Sequence, residues 1–232
     1  MIRQKRVIAI ALAALMLTAA LAACSPGNAP DVTTPATNAP DTPGAATSET
    51  DPVTEPPTCG EETTTQPTEV KTLKILAIGN SFSADCMQYL YDIAKSGGVE
   101  EIVLGNLYYG GCSLAQHLGF AKSDSPSYTY YKNTSGRWES TKSYKMSDAI
   151  ADEKWDYISF QQTSKTCGLV SSYGKTLTNL LDFVEAKAPE AKFIWNMTWA
   201  YQQDSTHSSF PNYDRSQQKM YDMIIDCMHK CI

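Results

Sequence analysis

The chain has 232 residues, with 19 Lys and Arg against 25 Asp and Glu, 42% hydrophobic residues and seven cysteines. That length suits one globular domain with flanking segments, and a net charge of -6 offers nothing that would attract nucleic acid. The cysteines do not have the look of the dense disulfide framework of a small secreted scaffold.

Arg3, Lys5 and Arg6 precede a nearly unbroken apolar run from Val7 to Ala20, too short to span a bilayer comfortably but suited to a secretory signal. The run ends in Leu21-Ala22-Ala23-Cys24, which resembles the lipobox of bacterial lipoproteins. The resemblance implies removal of residues 1–23 as a signal peptide and lipidation of Cys24. The mature protein would then be extracytoplasmic in the bacterial cell envelope, held to the membrane by the lipid on Cys24 rather than by a spanning helix.

Residues 24–70 contain nine of the twelve prolines and eight acids, but no Lys, Arg or aromatic residue. Such a composition cannot bury a core and reads as a disordered, semi-extended linker. The remaining residues 71–232 carry 16 basic and 17 acidic side chains, so the domain itself is nearly neutral. All 23 aromatic residues lie from Phe82 onward, which places the core in 71–232.

Leu73 to Ile78 is a short apolar strand ending at Gly79, and Met87, Leu90, Tyr91 and Ala94 then recur at helical spacing up to Gly97-Gly98. Ile102-Val103-Leu104 predicts a second strand, Gly110-Gly111 breaks it, and Ser113 is placed to cap a short helix through Phe120. The pattern from Ser127 to Ser140 reads as a small inserted hairpin, followed by a helix from Met146 to Glu153. Trp155 to Phe160 predicts a third strand with Gln161 and Gln162 at its end. A helix through Leu177, Leu180, Leu181 and Val184 leads to a fourth strand, Phe193 to Met197. A loop from Thr198 to Tyr213 and a helix through Met220, Met223, Ile224 and Cys227 complete the chain. Alternating strands and helices predict a three-layer α/β fold, a parallel sheet with helices on both faces.

In such sheets ligands bind beyond the carboxyl ends of the strands. Gly79-Asn80-Ser81-Phe82-Ser83 occupies the first of these ends, where backbone N–H groups at a helix start can stabilise an oxyanion. Ser81 is the candidate nucleophile there. A serine in this turn can equally be a helix cap, or part of a loop that cradles phosphate.

The run Gly79 to Ser83 resembles the first block of the SGNH, or GDSL, hydrolases, with Asn80 where many members have aspartate. Gly110-Gly111 matches the second block and the amides of Gln161-Gln162 the third. Gly110 to Leu114, Trp155 to Ile158 and Thr198 to Tyr201 resemble more narrowly a branch of bacterial SGNH-like domains with no assigned function. The resemblance implies flavodoxin-like topology, no cofactor, and an ester hydrolase with Ser81 as nucleophile and Gly111, Gln161 and Gln162 as oxyanion donors. The implied substrate is an acylated carbohydrate or another small ester.

A serine nucleophile needs a base, which this family takes from an Asp-x-x-His block after a fifth strand. No fifth strand is readable, so the domain is expected to be incomplete in its carboxyl-terminal part. Asp204-Ser205-Thr206-His207 has the block's spacing but follows the fourth strand; Asp204 and His207 are the candidate base pair within the chain. Cys227, His229 and Cys231 are not expected to share a metal, because helical spacing sets the histidine on another face. A non-catalytic alternative remains: a module in which Tyr108-Tyr109, Trp138 and Trp199 to Tyr201 recognise a glycan.

Overall fold

The computed structural model describes residues 71–232. The signal peptide, Cys24, Cys59 and the linker to residue 70 lie outside the described residues. The chain runs β1 (Thr72–Gly79), α1 (Ser81–Met87), α2 (Leu90–Ser96), β2 (Glu101–Tyr108), α3 (Leu114–Ser123) and β3 (Tyr128–Asn133). It continues with β4 (Trp138–Tyr144), α4 (Met146–Ala151), β5 (Tyr157–Phe160), α5 (Gly174–Glu185), β6 (Lys192–Trp195) and α6 (Gln217–Cys231).

The strands form one sheet in the order β4-β3-β2-β1-β5-β6. Strands β2, β1, β5 and β6 are parallel, the four read from the sequence, and follow the flavodoxin-like order. The expected hairpin is present and runs on to Tyr144; it extends the sheet, with β3 antiparallel to β2 and β4 antiparallel to β3. Its turn is closed by the Asn133 side chain, whose Oδ1 accepts from the N–H groups of Ser135 and Gly136. The single helix expected after β1 is two short ones, α1 and α2, separated at Gln88-Tyr89.

Strand β1 is central and covered on both faces, which is why it reads as an unbroken apolar run rather than an alternating one. Leu76 and Ile78 point to one face and pack with Leu107, Leu114, Ala149, Leu180 and Val184, under α3, α4 and α5. Ile75 and Ala77 point to the other and pack with Leu104, Met87, Leu90 and Ala94, under α1 and α2. The long segment after β6 has a core of its own, where Phe210 and Tyr213 meet Cys167, Met220 and Ile224. Among the described residues no helix is long and apolar enough to cross a membrane.

Candidate active site at the carboxyl end of β1

The turn after β1 is tight because nothing larger than glycine fits at its base. A Cβ on Gly79 would lie 2.6 Å from Ser83 Oγ and 2.9 Å from Gln161 Cδ. Asn80, not Ser81, caps α1: its Oδ1 accepts from Phe82 N–H at 3.1 Å, and its carbonyl accepts from Ser83 and Ala84 N–H. Two of the sequence readings are thereby separated. The Ser81 hydroxyl is not spent on capping, and the N–H groups of Phe82, Ser83 and Ala84 are already bonded rather than open to a phosphate.

The second block is stitched to the first. Tyr109 N–H donates to the Gly79 carbonyl at 3.1 Å, and Asn80 Nδ2 donates to the Cys112 carbonyl at 2.9 Å. Gly111 lies between these contacts at φ +64, a conformation that favours glycine, and a Cβ there would meet open space. The N–H groups of Ser81 and Gly111 have no hydrogen-bond partner among the described residues.

Both glutamines after β5 are buried at 1% exposure, and both are committed. Because Phe82 N–H and the Cys112 carbonyl fix which way the Asn80 amide points, Gln161 Nε2 must donate to Asn80 Oδ1, at 2.6 Å. Gln161 Oε1 in turn accepts from Asn196 Nδ2 at 2.7 Å, and Asn196 Oδ1 accepts the Cys86 thiol at 3.3 Å. Gln162 Nε2 donates to the carbonyl and hydroxyl of Ser172, while its Oε1 accepts from Leu114 and Thr163 N–H. These amides brace the turn from beneath; neither residue lines the cleft in which Ser81 stands.

That cleft has a volume of about 600 Å³ and is lined by Ser81 and Asp85 of α1, Gln88 just after it, Asn106 and Tyr108 of β2, Tyr131 of β3 and Trp138 of β4. Strand register explains the sheet side. Asn106 pairs with Tyr131 and Asn133 with Trp138, so all of these project to the face that α1 covers. Ser83 Oγ donates to the Asn80 carbonyl at 2.7 Å and lies 2.9 Å from the Asn106 side-chain amide. Asn106 is thus an amide of the site that the sequence reading passed over. Its only signal was a polar residue inside an otherwise apolar strand.

The candidate base pair is not assembled. The Asp204 carboxylate accepts from Gln202, and His207 makes no contact with it. His207 instead stacks on Tyr201, with ring centroids 4.6 Å apart, and its Nδ1 accepts from Ser209 N–H. That bond puts the ring proton on Nε2, whereas a base oriented by a carboxylate needs it on Nδ1. Neither residue lines the cleft. His117, on α3, is fully buried: Nδ1 meets the Tyr128 hydroxyl at 2.8 Å, Nε2 has no partner among the described residues, and burial pushes its pKa down to about 3. His229 is exposed on α6.

The five cysteines among the described residues are free. Burial pushes the Cys112 thiol up to about 12 and that of Cys86 upward too, so neither competes with Ser81 as a thiolate nucleophile. Among the described residues no group of His, Cys, Asp and Glu is gathered to hold a metal ion.

Sheet and turn together define a class: an α/β domain presenting an exposed serine where the first strand passes into its helix. The chain belongs to the family described as "Domain of unknown function (DUF4886)", whose model matches residues 74–231. A DUF4886 family protein from Bacteroides uniformis is 40% identical, with a TM-score of 0.66 over 69% of this chain. This chain covers 62% of that protein's length. A candidate SGNH hydrolase from Slackia heliotrinireducens is 18% identical, with a TM-score of 0.44 over 69% of this chain and 73% of its own. No curated protein matches.

Proposed function

We propose that this protein is a surface-anchored serine ester hydrolase of the SGNH type, acting on acylated carbohydrates or similar small esters. The observation that carries the reading is the division of roles in the β1–α1 turn: Asn80 caps the helix, and Ser81 keeps a free, exposed hydroxyl at the cleft. On this reading Ser81 Oγ attacks the ester carbonyl and gives up its proton to water, the N–H groups of Ser81 and Gly111 meet the oxyanion, the alcohol leaves with a proton returned from water, and a second water releases the acid. Asn106 lines the same cleft, which Gln161 and Gln162 do not, and its side-chain amide is a further group for contact with the substrate.

The test is hydrolysis of p-nitrophenyl acetate and of acetylated glycans by the full chain, Ser81→Ala and His207→Ala. Turnover is expected to vanish in Ser81→Ala and to persist in His207→Ala. A second reading, a glycan-binding module without catalysis, is favoured by one observation: Tyr108, Tyr131 and Trp138 line the cleft, and among the described residues no histidine does. Glycan binding with no Ser81-dependent turnover would establish that reading instead.

The anchor rests on Leu21-Ala22-Ala23-Cys24 and the acidic, proline-rich segment that follows. Cys24→Ser is expected to move the protein from the membrane fraction to the soluble one. Retention in the membrane would refute lipid attachment at this cysteine.

A further inference from the structure

The cleft beside Ser81 has a charge character that an ester site does not require. Asp85 is the only charged residue lining it, and its carboxylate makes no hydrogen bond or ion pair among the described residues. Several other acids of the domain are paired: Glu153 with Lys74 and Lys132, Asp124 with Lys145, Asp226 with Lys230. Around Asp85 the wall is aromatic. Tyr108 and Tyr131 meet edge to face with centroids 6.0 Å apart, and Trp138 follows on the next strand.

A carboxylate left single among aromatic faces attracts a cation twice over, through its own charge and through the ring quadrupoles, and it repels an anion. Spacing adds a constraint. Ser81 and Asp85 are four apart on α1 and lie on one face, about 5–6 Å between their Cβ atoms. Ala84, between them in the lining, keeps that stretch clear.

Building on the serine hydrolase reading, we propose that the cleft selects substrates bearing an ammonium group, held by Asp85 and the Tyr108–Tyr131–Trp138 wall. The cation sits about one helical turn from the carbonyl that Ser81 attacks. That is the separation found in esters of amino alcohols and in acylated amino sugars. Gln88, one further turn along the same face, contacts the part of the ligand beyond the ammonium group.

Binding separates this proposal from the hydrolase reading, because it needs no turnover. The full chain is titrated by calorimetry with choline and its neutral isostere 3,3-dimethylbutanol, and with glucosamine and N-acetylglucosamine. Each cation is expected to bind roughly tenfold or more tightly than its neutral partner, a difference that high salt reduces. Preference for choline alone marks an alkylammonium ester as the source of the cation, and preference for glucosamine marks an amino sugar. Asp85→Asn is expected to abolish the preference while leaving the neutral ligands' affinity unchanged, and Trp138→Leu to weaken the cations several-fold. Equal affinity for cation and neutral isostere, or a preference that survives Asp85→Asn, overturns the proposal even if Ser81-dependent hydrolysis is found. Intact cation preference without such hydrolysis leaves the proposal standing and removes the hydrolase reading.

Discussion

Two segments of this domain carry the residue spacing of a hydrolase motif, and the fold treats them differently. In Gly79 to Ser83 every polar group beneath Ser81 is engaged: Asn80 to Phe82 and Cys112, Ser83 to Asn106, Gln161 to Asn80. In Asp204 to His207 the two side chains that would have to meet turn to separate local partners, Gln202 and Ser209. The difference is one of constraint. The first segment lies between a central strand and its helix, held by three other strands' ends, whereas the second lies in a connection that satisfies itself locally. Motif spacing records which residues are present; only the surrounding contacts decide whether they act together.

That contrast can be broken by substitution. Gly79→Ala should have the largest effect on stability, roughly 2–3 kcal/mol, because the new Cβ must displace Ser83 or Gln161 from a bonded, buried position. Urea unfolding measures it; a loss below about 0.5 kcal/mol would mean that the turn is looser than described.

The next effect is one of pH. His117 is buried and neutral with a pKa near 3, while an unfolded histidine titrates near 6.5. The unfolded state therefore binds the extra proton between those values, so stability is complete above about pH 6.5 and falls as pH drops toward 3. Between pH 6.5 and 5 the loss from this group should approach ~2 kcal/mol. His117→Gln should flatten that acid limb, and an unchanged limb would show that the ring is charged or hydrated when folded. The smallest effect is expected at the candidate base pair: Asp204→Ala and His207→Ala should each shift stability by no more than about 0.5 kcal/mol.

The sequence made the scaffold legible because its strands are covered on both faces. Leu73 to Ile78 and Ile102 to Leu104 can be little else once each is followed by a glycine break and a helical pattern. The hairpin was legible but its place in the sheet was not: β4 is nearly all exposed, so Trp138 to Tyr144 has no apolar alternation to show that it extends the main sheet. The cleft was hidden with it, since Tyr131 and Trp138 reach Ser81's side only through strand register. Within the site, Ser81, Gly111 and the two glutamines could be found as blocks, but roles could not. Whether Asn80 or Ser81 caps α1, and whether Gln161 faces the cleft or the turn beneath it, depends on contacts between residues 81 positions apart. Asn106 lies beyond the apolar run Ile102 to Leu104, and only the strand's full length and its register bring it to Ser83 and the cleft.

The central claim is that Ser81 is a free, reactive hydroxyl in a preformed site, and the most direct measurement is covalent labelling with a fluorophosphonate followed by peptide mass spectrometry. The serine hydrolase proposal predicts a single adduct, on the peptide containing Ser81, absent in Ser81→Ala and retained in His207→Ala. No adduct, or one that survives Ser81→Ala, would contradict it.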